Sequence, residues 1–173
     1  GLVATDTSIF RTASPSVRIT PNVTNPSSWK LRTGNIYIPI AANTATASIS
    51  VWVRKSATGS GDSATYNGNT PRLILAANPA LGGSGYNSDV ICAQAGGAGS
   101  FAELTCTLPT PTQNGTVIAY VDCDGTAGWC NVSDVTVRTT AASLGRPLYF
   151  DRGFMSVPGQ TTGGGGGSYT FVQ

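Results

Sequence analysis

Residues 47–55 read Ala-Ser-Ile-Ser-Val-Trp-Val-Arg-Lys, and this stretch decides the fold class. Its apolar residues alternate with serine, tryptophan and arginine, which is the period of a β-strand that buries one face. Similar short runs recur at 14–22, 35–40, 72–76, 88–94, 101–108, 116–122 and 129–138. Because each such strand covers one sheet face, the sequence predicts an all-β fold. Two antiparallel sheets are expected to pack face to face as a jelly-roll β-sandwich.

The two ends of the chain extend this sandwich. We predict an N-terminal extension at 1–13, a sandwich at 14–140 and an extended Gly-rich C-terminal assembly arm at 141–173. The arm holds five consecutive glycines at 163–167, followed by alternating β-forming residues. Such a terminal strand can add to the sheet edge of another subunit or fold back onto its own domain, and both arrangements remain open. The aromatic residues of the arm that are candidates for assembly contacts are Tyr149, Phe150, Phe154, Tyr169 and Phe171.

The composition excludes several classes of function. Charged residues make up 10% of the chain, the net charge is +2, and Lys and Arg form no run, so we expect no nucleic-acid partner. No apolar run approaches the ~18 residues of a membrane span. The chain has no His, and Glu103 is its only Glu, so a Ser–His or Cys–His nucleophile pair cannot be built. A glycosidase with two Asp is possible in principle, but no motif pairs two carboxylates, and we expect no enzymatic activity.

The four cysteines predict disulfides in an oxidising setting. Neighbours along the chain would pair, Cys92 with Cys106 and Cys123 with Cys130, each across a hairpin. The alternative is that all four are buried free thiols. The dipeptide Asp124-Gly125 predicts a hairpin turn between the strands at 116–122 and 129–138. Disulfides would favour an extracellular location.

Several motifs match a known pattern in their order along the chain. Residues 16–20 (SVRIT) and 48–55 (SISVWVRK) lie early, 99–108 (GSFAELTCTL) lies later, and 117–125 (VIAYVDCDG) with 129–137 (WCNVSDVTV) closes the series. Over residues 14–138 this order resembles the jelly rolls of carbohydrate-binding modules, with Phe101 in a Trp position and Ser133 in an Asp position. The segments 53–56, 66–73 and 121–126 are also similar to domains in virion structural proteins of tailed bacteriophages. The resemblance implies a jelly-roll fold and a structural role on a particle, and the arm after residue 140 departs from an isolated sugar-binding module.

Surface aromatics are the candidates for a binding face. Trp52 and Tyr120 alternate against apolar neighbours, so they point to the outer side of their sheets and could share an exposed concave platform with Arg54 and Arg72. Such a platform would stack on a glycan. The alternative, which we favour, is that these aromatics sit under a loop or a partner chain, since aromatics are also the usual anchors of protein interfaces. Further candidates of the same kind are Trp29 and Trp129.

Three aspartates are weak candidates for a calcium site. Asp122, Asp124 and Asp134 would gather carboxylate oxygens near one hairpin, and modules of the resembled family often hold a structural Ca²⁺. The segment falls far short of a calcium-binding loop motif. We therefore favour aspartates that cap turns, and we expect no cofactor.

Together these observations predict a non-enzymatic structural protein of an extracellular or viral assembly. The role would be a virion decoration, a capsid or tail component, or a filament subunit. Its partners would be copies of itself and other assembly proteins. The alternative is a secreted carbohydrate-binding module that recognises a glycan through surface aromatics.

Overall fold

The structure is a computed structural model, which describes residues 1–22, 31–43, 47–82, 85–139, 149–150, 153–154 and 167–171. The described elements are strands, apart from two short 3-10 turns at Thr58–Ser60 and Pro79–Leu81. The strands are β1 (Leu2–Asp6), β2 (Ser16–Thr20), β3 (Leu31–Arg32), β4 (Ile36–Ile40), β5 (Ser48–Lys55), β6 (Arg72–Leu75), β7 (Val90–Gln94), β8 (Gly97–Ala98), β9 (Phe101–Thr107), β10 (Gly115–Cys123), β11 (Cys130–Thr139), β12 (Tyr149–Phe150), β13 (Gly153–Phe154) and β14 (Gly167–Phe171). The prediction of an all-β chain is confirmed.

The strands form two sheets. In the first sheet the order is β1-β2-β11-β5-β8, with β14 also beside β11 and β9 also beside β5. In the second sheet the order is β13-β12-β4-β10-β6-β7, with β3 also beside β10. The pairings are antiparallel except for the short contact of β5 with β8. The prediction of a sandwich of two antiparallel sheets is therefore confirmed.

One core lies between the sheets, and the period-two pattern explains which residues fill it. Ile49, Val51 and Val53 of β5 are fully buried, and the isoleucines of β4 face them from the second sheet with at most 2% exposure. Val117, Ala119 and Val121 of β10 are also fully buried. Burial of each such aliphatic side chain contributes about 1.5–3 kcal/mol before the entropy cost of folding. The core therefore accounts for the pairing of the two sheets.

The connection from β10 to β11 crosses from one sheet to the other. β10 pairs with β3, β4 and β6, whereas β11 pairs with β2, β5 and β14. The hairpin predicted from Asp124-Gly125 is therefore wrong. Six residues, 124–129, separate the strands. That length is enough to span the ~10 Å between packed sheets. Hydrogen bonds with the loop at 66–69 hold the connection in place.

The last described strand adds to the first sheet of the same chain. β14 runs antiparallel to β11, with Val135 opposite Phe171 and Thr139 opposite Gly167. β2 pairs with the first part of β11, at Cys130–Val132, so β14 continues the same side of that strand. The hairpin β12–β13 meets β4 at Ile36 in the second sheet. The C-terminal strands are thus divided between both sheets.

Within the ranges given above, no helix combines the length and apolar character that crossing a membrane requires.

Candidate functional site

Trp52 lies on the outer face of the first sheet, the face turned away from the core. The guanidinium carbon of Arg11 is 3.6 Å from the centroid of the Trp52 ring. Arg11 Nη1 also donates to Asp134 Oδ2 over 3.2 Å, and Thr12 Oγ1 donates to the same oxygen over 2.8 Å. The N-terminal segment therefore covers one face of Trp52, and that face cannot stack on a sugar ring.

Asn131 is a fully buried polar residue at the centre of this outer face. It lies directly opposite Arg18 of β2 and, on its other side, opposite Arg54 of β5. Asn131 Nδ2 donates to Asp6 Oδ2 over 3.0 Å and to Ser16 Oγ over 3.1 Å. Burial alone would raise the pKa of Asp6, but hydrogen bonds from Asn131 and two backbone amides, with the charge of Arg18, hold that pKa below its ordinary value.

Trp129 completes this group from the residue before β11. The guanidinium carbon of Arg18 lies 3.8 Å from the centroid of the Trp129 ring. The backbone N–H of Trp129 donates to Ser56 Oγ over 3.0 Å, which fixes the position of the ring at the end of the sheet. Trp129 is only 6% exposed, so its ring is part of the packed structure.

Arg54 and Asp62 form a second charged contact on the same face. Arg54 Nη2 lies 2.6 Å from Asp62 Oδ2, and the side chains are 8% and 5% exposed. The same oxygen accepts the backbone N–H of Ala57 over 2.7 Å. Burial acts to raise the pKa of Asp62, but the hydrogen bonds and charge of its neighbours lower it overall. The pair ties the loop after β5 to the sheet.

Three buried polar atoms of this face have no hydrogen-bond partner among the described residues: Arg54 Nη1, Trp129 Nε1 and Asn131 Oδ1. We call the group of Arg18, Arg54, Trp129 and Asn131 the Asn131 patch. The patch offers two donors and one acceptor beside a stacked indole ring. All three atoms are buried, so they contact no ligand in this arrangement, and the patch contains no nucleophile or titrating acid–base group.

The outer face of the second sheet holds a different set of contacts. Arg72 donates to both carboxylate oxygens of Asp122, Nε over 2.9 Å and Nη2 over 2.7 Å, and these bonds raise the pKa of Arg72. Tyr120 Oη donates to Asp89 Oδ2 over 2.9 Å, and the guanidinium of Arg32 lies 4.6 Å from the Tyr120 ring centroid. Burial and then the Asp89 hydrogen bond raise the pKa of Tyr120.

The platform predicted from the sequence does not form. Trp52 and Arg54 lie on β5 of the first sheet, whereas Arg72 and Tyr120 lie on β6 and β10 of the second sheet. The outer faces of two packed sheets point in opposite directions, so the four side chains do not lie together on one surface. Trp129 joins Arg54 in the Asn131 patch. The sixth candidate, Trp29, lies outside the described residues.

The three candidate calcium ligands are each held by protein partners. Asp122 accepts from Arg72, Asp124 accepts from the backbone N–H and Nδ2 of Asn69, and Asp134 accepts from Arg11 and Thr12. In the described ranges, no three His, Cys, Asp or Glu residues are grouped so that they could hold a metal ion. Asp134 lies on β11 of the first sheet, whereas Asp122 lies on β10 of the second, and Asp124 fastens one loop to another.

That loop contact was not foreseen from the sequence. Asn67 Oδ1 accepts the backbone N–H groups of Thr126 and Ala127 over 2.9 and 3.0 Å. Tyr66 Oη donates to Asn69 O over 2.8 Å and accepts from the backbone N–H of Asp124. We call these contacts between 66–69 and 124–127 the loop clamp. The Asn67-Gly68 dipeptide signals a turn, but no local pattern shows which segment its amide will bind.

The four cysteines lie as two pairs, each with one member on either sheet, and one pair is bonded. Cys92 and Cys106 form a disulfide with a Cα–Cα distance of 5.6 Å, as predicted. The bond links β7 of the second sheet to β9 of the first, so the expectation that it crosses a hairpin is wrong. Cys123 and Cys130 are free and buried in this structure. They too lie on different sheets, one at each end of the 124–129 connection.

The aromatic residues proposed for assembly contacts lie on the C-terminal strands. Tyr149 and Phe150 are on β12, Phe154 is on β13, and Tyr169 and Phe171 are on β14. The backbone of β14 pairs with β11 over five residues. This pairing places β14 beside β11, on the side of that strand that β2 also occupies.

Comparison with known proteins adds no family to this description. No protein-family model matches the chain, and neither a curated protein nor a solved structure matches it. The class is therefore defined by the fold and the site: a two-sheet β-sandwich with an inter-sheet disulfide and a packed polar patch on one outer face.

Proposed function

We propose that this protein is a non-enzymatic structural subunit of an extracellular or viral assembly, and that its sandwich and terminal arms make the subunit contacts. The observation that carries this proposal is the pairing of β14 with β11. A strand at the end of a chain, after a run of glycines, is held by main-chain hydrogen bonds that an identical β11 in a neighbouring copy also offers. Exchange of this strand between copies would build an assembly without a new kind of contact.

The pairing of arginines with carboxylates of the same chain supports the same role. Four arginines that could bind an anionic ligand are each within 4.0 Å of a carboxylate of their own chain: Arg11 with Asp134, Arg18 with Asp6, Arg54 with Asp62, and Arg72 with Asp122. These pairs stiffen the domain and leave a surface that is polar but weakly charged. Such a surface suits contact with many copies better than it suits steering of a charged ligand.

The outermost strands provide further contact points. Leu2 on β1 is 62% exposed and Ile91 on β7 is 51% exposed. β1 and β7 stand at the ends of the strand orders of the two sheets. Exposed strands with apolar side chains are the positions at which sheets of neighbouring molecules add to one another.

Removal of the last strand tests this proposal. The chain truncated after residue 166 lacks all of β14, and we expect it to remain folded by circular dichroism but to lose the oligomers of the full chain in light scattering. A second chain, in which 168–173 is replaced by six serines, keeps the length and removes the β-forming side chains. If both variants form the same oligomers as the full chain, the C-terminal strand does not assemble subunits.

The Asn131 patch favours a second candidate function, a secreted carbohydrate-binding module. Its unpartnered Arg54, Trp129 and Asn131 atoms are of the kinds that bond sugar hydroxyls, but they are buried, so a glycan would reach them only after the segments that cover them move aside. A glycan array tests this candidate with Trp129→Phe, which keeps an aromatic ring but removes the indole N–H. A flat array, or equal binding by wild type and variant, would remove this candidate. The two functions are compatible if the particle adheres to a glycan.

A further inference from the structure

The second cysteine pair lies at the point where the chain passes from one sheet to the other. Cys123 is the last residue of β10 and Cys130 is the first residue of β11. Cys123 is 2% exposed and Cys130 is 0% exposed, and both belong to the hydrophobic core. The two side chains therefore approach each other through the interior of the sandwich rather than across a hairpin.

The two thiols are direct neighbours. Burial raises the pKa of Cys123 well above its ordinary value, and a side-chain hydrogen bond with Cys130 raises it further. Burial raises the pKa of the Tyr66 hydroxyl, and the nearby Cys130 and Cys123 raise it further, which places Tyr66 over the same end of the core. Neighbouring thiols at the junction of two sheets have the placement that the bonded pair Cys92–Cys106 has elsewhere in the fold.

The surrounding contacts hold this placement. The loop clamp fixes the connection after Cys123 through Asn67 and Asn69, and Ser56 fixes its end through the backbone N–H of Trp129. Cys130 is in turn held between Ile19 of β2 and Lys55 of β5. Described contacts thus fix both ends of the connection that joins the two cysteines.

We propose that Cys123 and Cys130 are the site of a second inter-sheet disulfide, formed as the chain folds in an oxidising compartment. The oxidant is a small-molecule disulfide such as oxidised glutathione. Each protein thiol gives up its proton, one S–S bond forms between the two sulfur atoms, and the oxidant accepts two electrons and two protons to become two thiols. Because both thiols are buried in the folded chain, the exchange precedes the final closure of the core.

The consequence is a sandwich cross-linked at both ends. On β5, Ile49 lies opposite Cys106, whereas Lys55 lies opposite Cys130. These positions are six residues apart, which corresponds to about 20 Å along a strand. One bond would tie the sheets at the start of β5 and the other at its end, which suits a subunit exposed to a harsh exterior.

Thiol mapping after refolding tests this proposal. The reduced, unfolded chain is refolded in a mixture of oxidised and reduced glutathione, alkylated in denaturant and digested with chymotrypsin. Trypsin is unsuitable because the chain has no Lys or Arg between Arg72 and Arg138, so all four cysteines stay in one peptide. Chymotrypsin can cut after Trp129 and after Phe101, which separates the members of each pair.

We expect a Cys123–Cys130 cross-linked peptide pair and no alkylated cysteine in the folded fraction. Alkylation of both Cys123 and Cys130 in a folded chain that retains Cys92–Cys106 would overturn the proposal, as would a bond from either residue to another cysteine. The variant Cys123→Ala/Cys130→Ala is the matched control, and it should keep the Cys92–Cys106 peptide pair. A second measurement compares the melting temperatures of the oxidised wild-type chain and of this variant. The melting temperature of the variant should be lower.

Discussion

Arg54 and Asp62 form an ion pair over 2.6 Å on the outer face of the first sheet, although both side chains are more than nine-tenths buried. The pair joins β5 to the loop that follows it, and Asp62 also holds the backbone of Ala57. A buried charge with a single carboxylate partner makes the stability of the domain depend on that partner.

Replacement of Asp62 by Asn should therefore destabilise the domain. The change leaves the guanidinium of Arg54 buried without its counter-charge, and we expect a loss of about 3 kcal/mol in the free energy of unfolding. Urea denaturation measures this loss. The double variant Arg54→Met/Asp62→Leu removes both charges and should recover most of the stability. An Asp62→Asn chain as stable as wild type would show that the pair is too well solvated to matter.

The stability of the domain should fall in acid. The pKa values of Asp6 and Asp62 lie below the ordinary value of an aspartate in the folded chain, because hydrogen bonds and nearby arginines outweigh burial. The unfolded chain therefore binds protons at a higher pH than the folded chain. The stability from these groups is present above the unfolded pKa and is lost as the pH falls through the folded pKa.

Thermal denaturation between pH 6 and pH 2 checks this dependence, since the window includes about 4, where unfolded Asp titrates. The double variant Asp6→Asn/Asp62→Asn should show a lower melting temperature at pH 6 and a shallower decline toward pH 2. A decline as steep as that of wild type would mean that other carboxylates cause the acid sensitivity.

The loop clamp should tolerate no side chain at Gly68. A Cβ added there would lie 1.8 Å from the carbonyl oxygen of Asp124, so the two loops would have to separate. We expect Gly68→Ala to reduce the free energy of unfolding by about 2 kcal/mol. Gly59→Ala is the matched control, because a Cβ at Gly59 meets nothing within 4 Å. Equal stability of the two variants in urea would contradict the close packing of the loops.

Reduction of the Cys92–Cys106 bond should also weaken the sandwich. The bond closes a loop with a sequence separation of 14 between the two sheets. Its loss should cost about 3 kcal/mol through the larger entropy of the unfolded chain. Denaturation of Cys92→Ala/Cys106→Ala, with and without a reducing agent, measures this contribution. A stability unchanged by the substitution would indicate that the unfolded chain is already restricted.

The sequence was sufficient for the strands and the core, but not for their assignment to sheets. The alternation of Ile49, Val51 and Val53 directly encodes a buried face, and that part of the prediction is confirmed. The outward direction of Trp52 and Tyr120 also follows from alternation. Alternation carries no information about which sheet a strand joins, so the two residues were expected on one platform although they lie on opposite faces of the molecule.

The β10–β11 connection shows the same limit at closer range. The Asp124-Gly125 dipeptide favours a tight turn, but six residues can equally cross between two sheets. The choice is made by contacts distant in sequence, such as the hydrogen bonds of Asn67 with Thr126. The Asn131 patch was partly foreseen through Arg54 and Trp129, whereas Asn131 itself gave no signal because a buried asparagine looks like a surface one in the sequence.

Electron microscopy of the native material tests the central claim most directly. If the protein is a structural subunit, images should show many sandwiches in repeated contact, with density for β14 continuous with the first sheet of its own or a neighbouring copy. Images that show only isolated single domains, together with a monomeric mass in light scattering at the same protein concentration, would contradict the account.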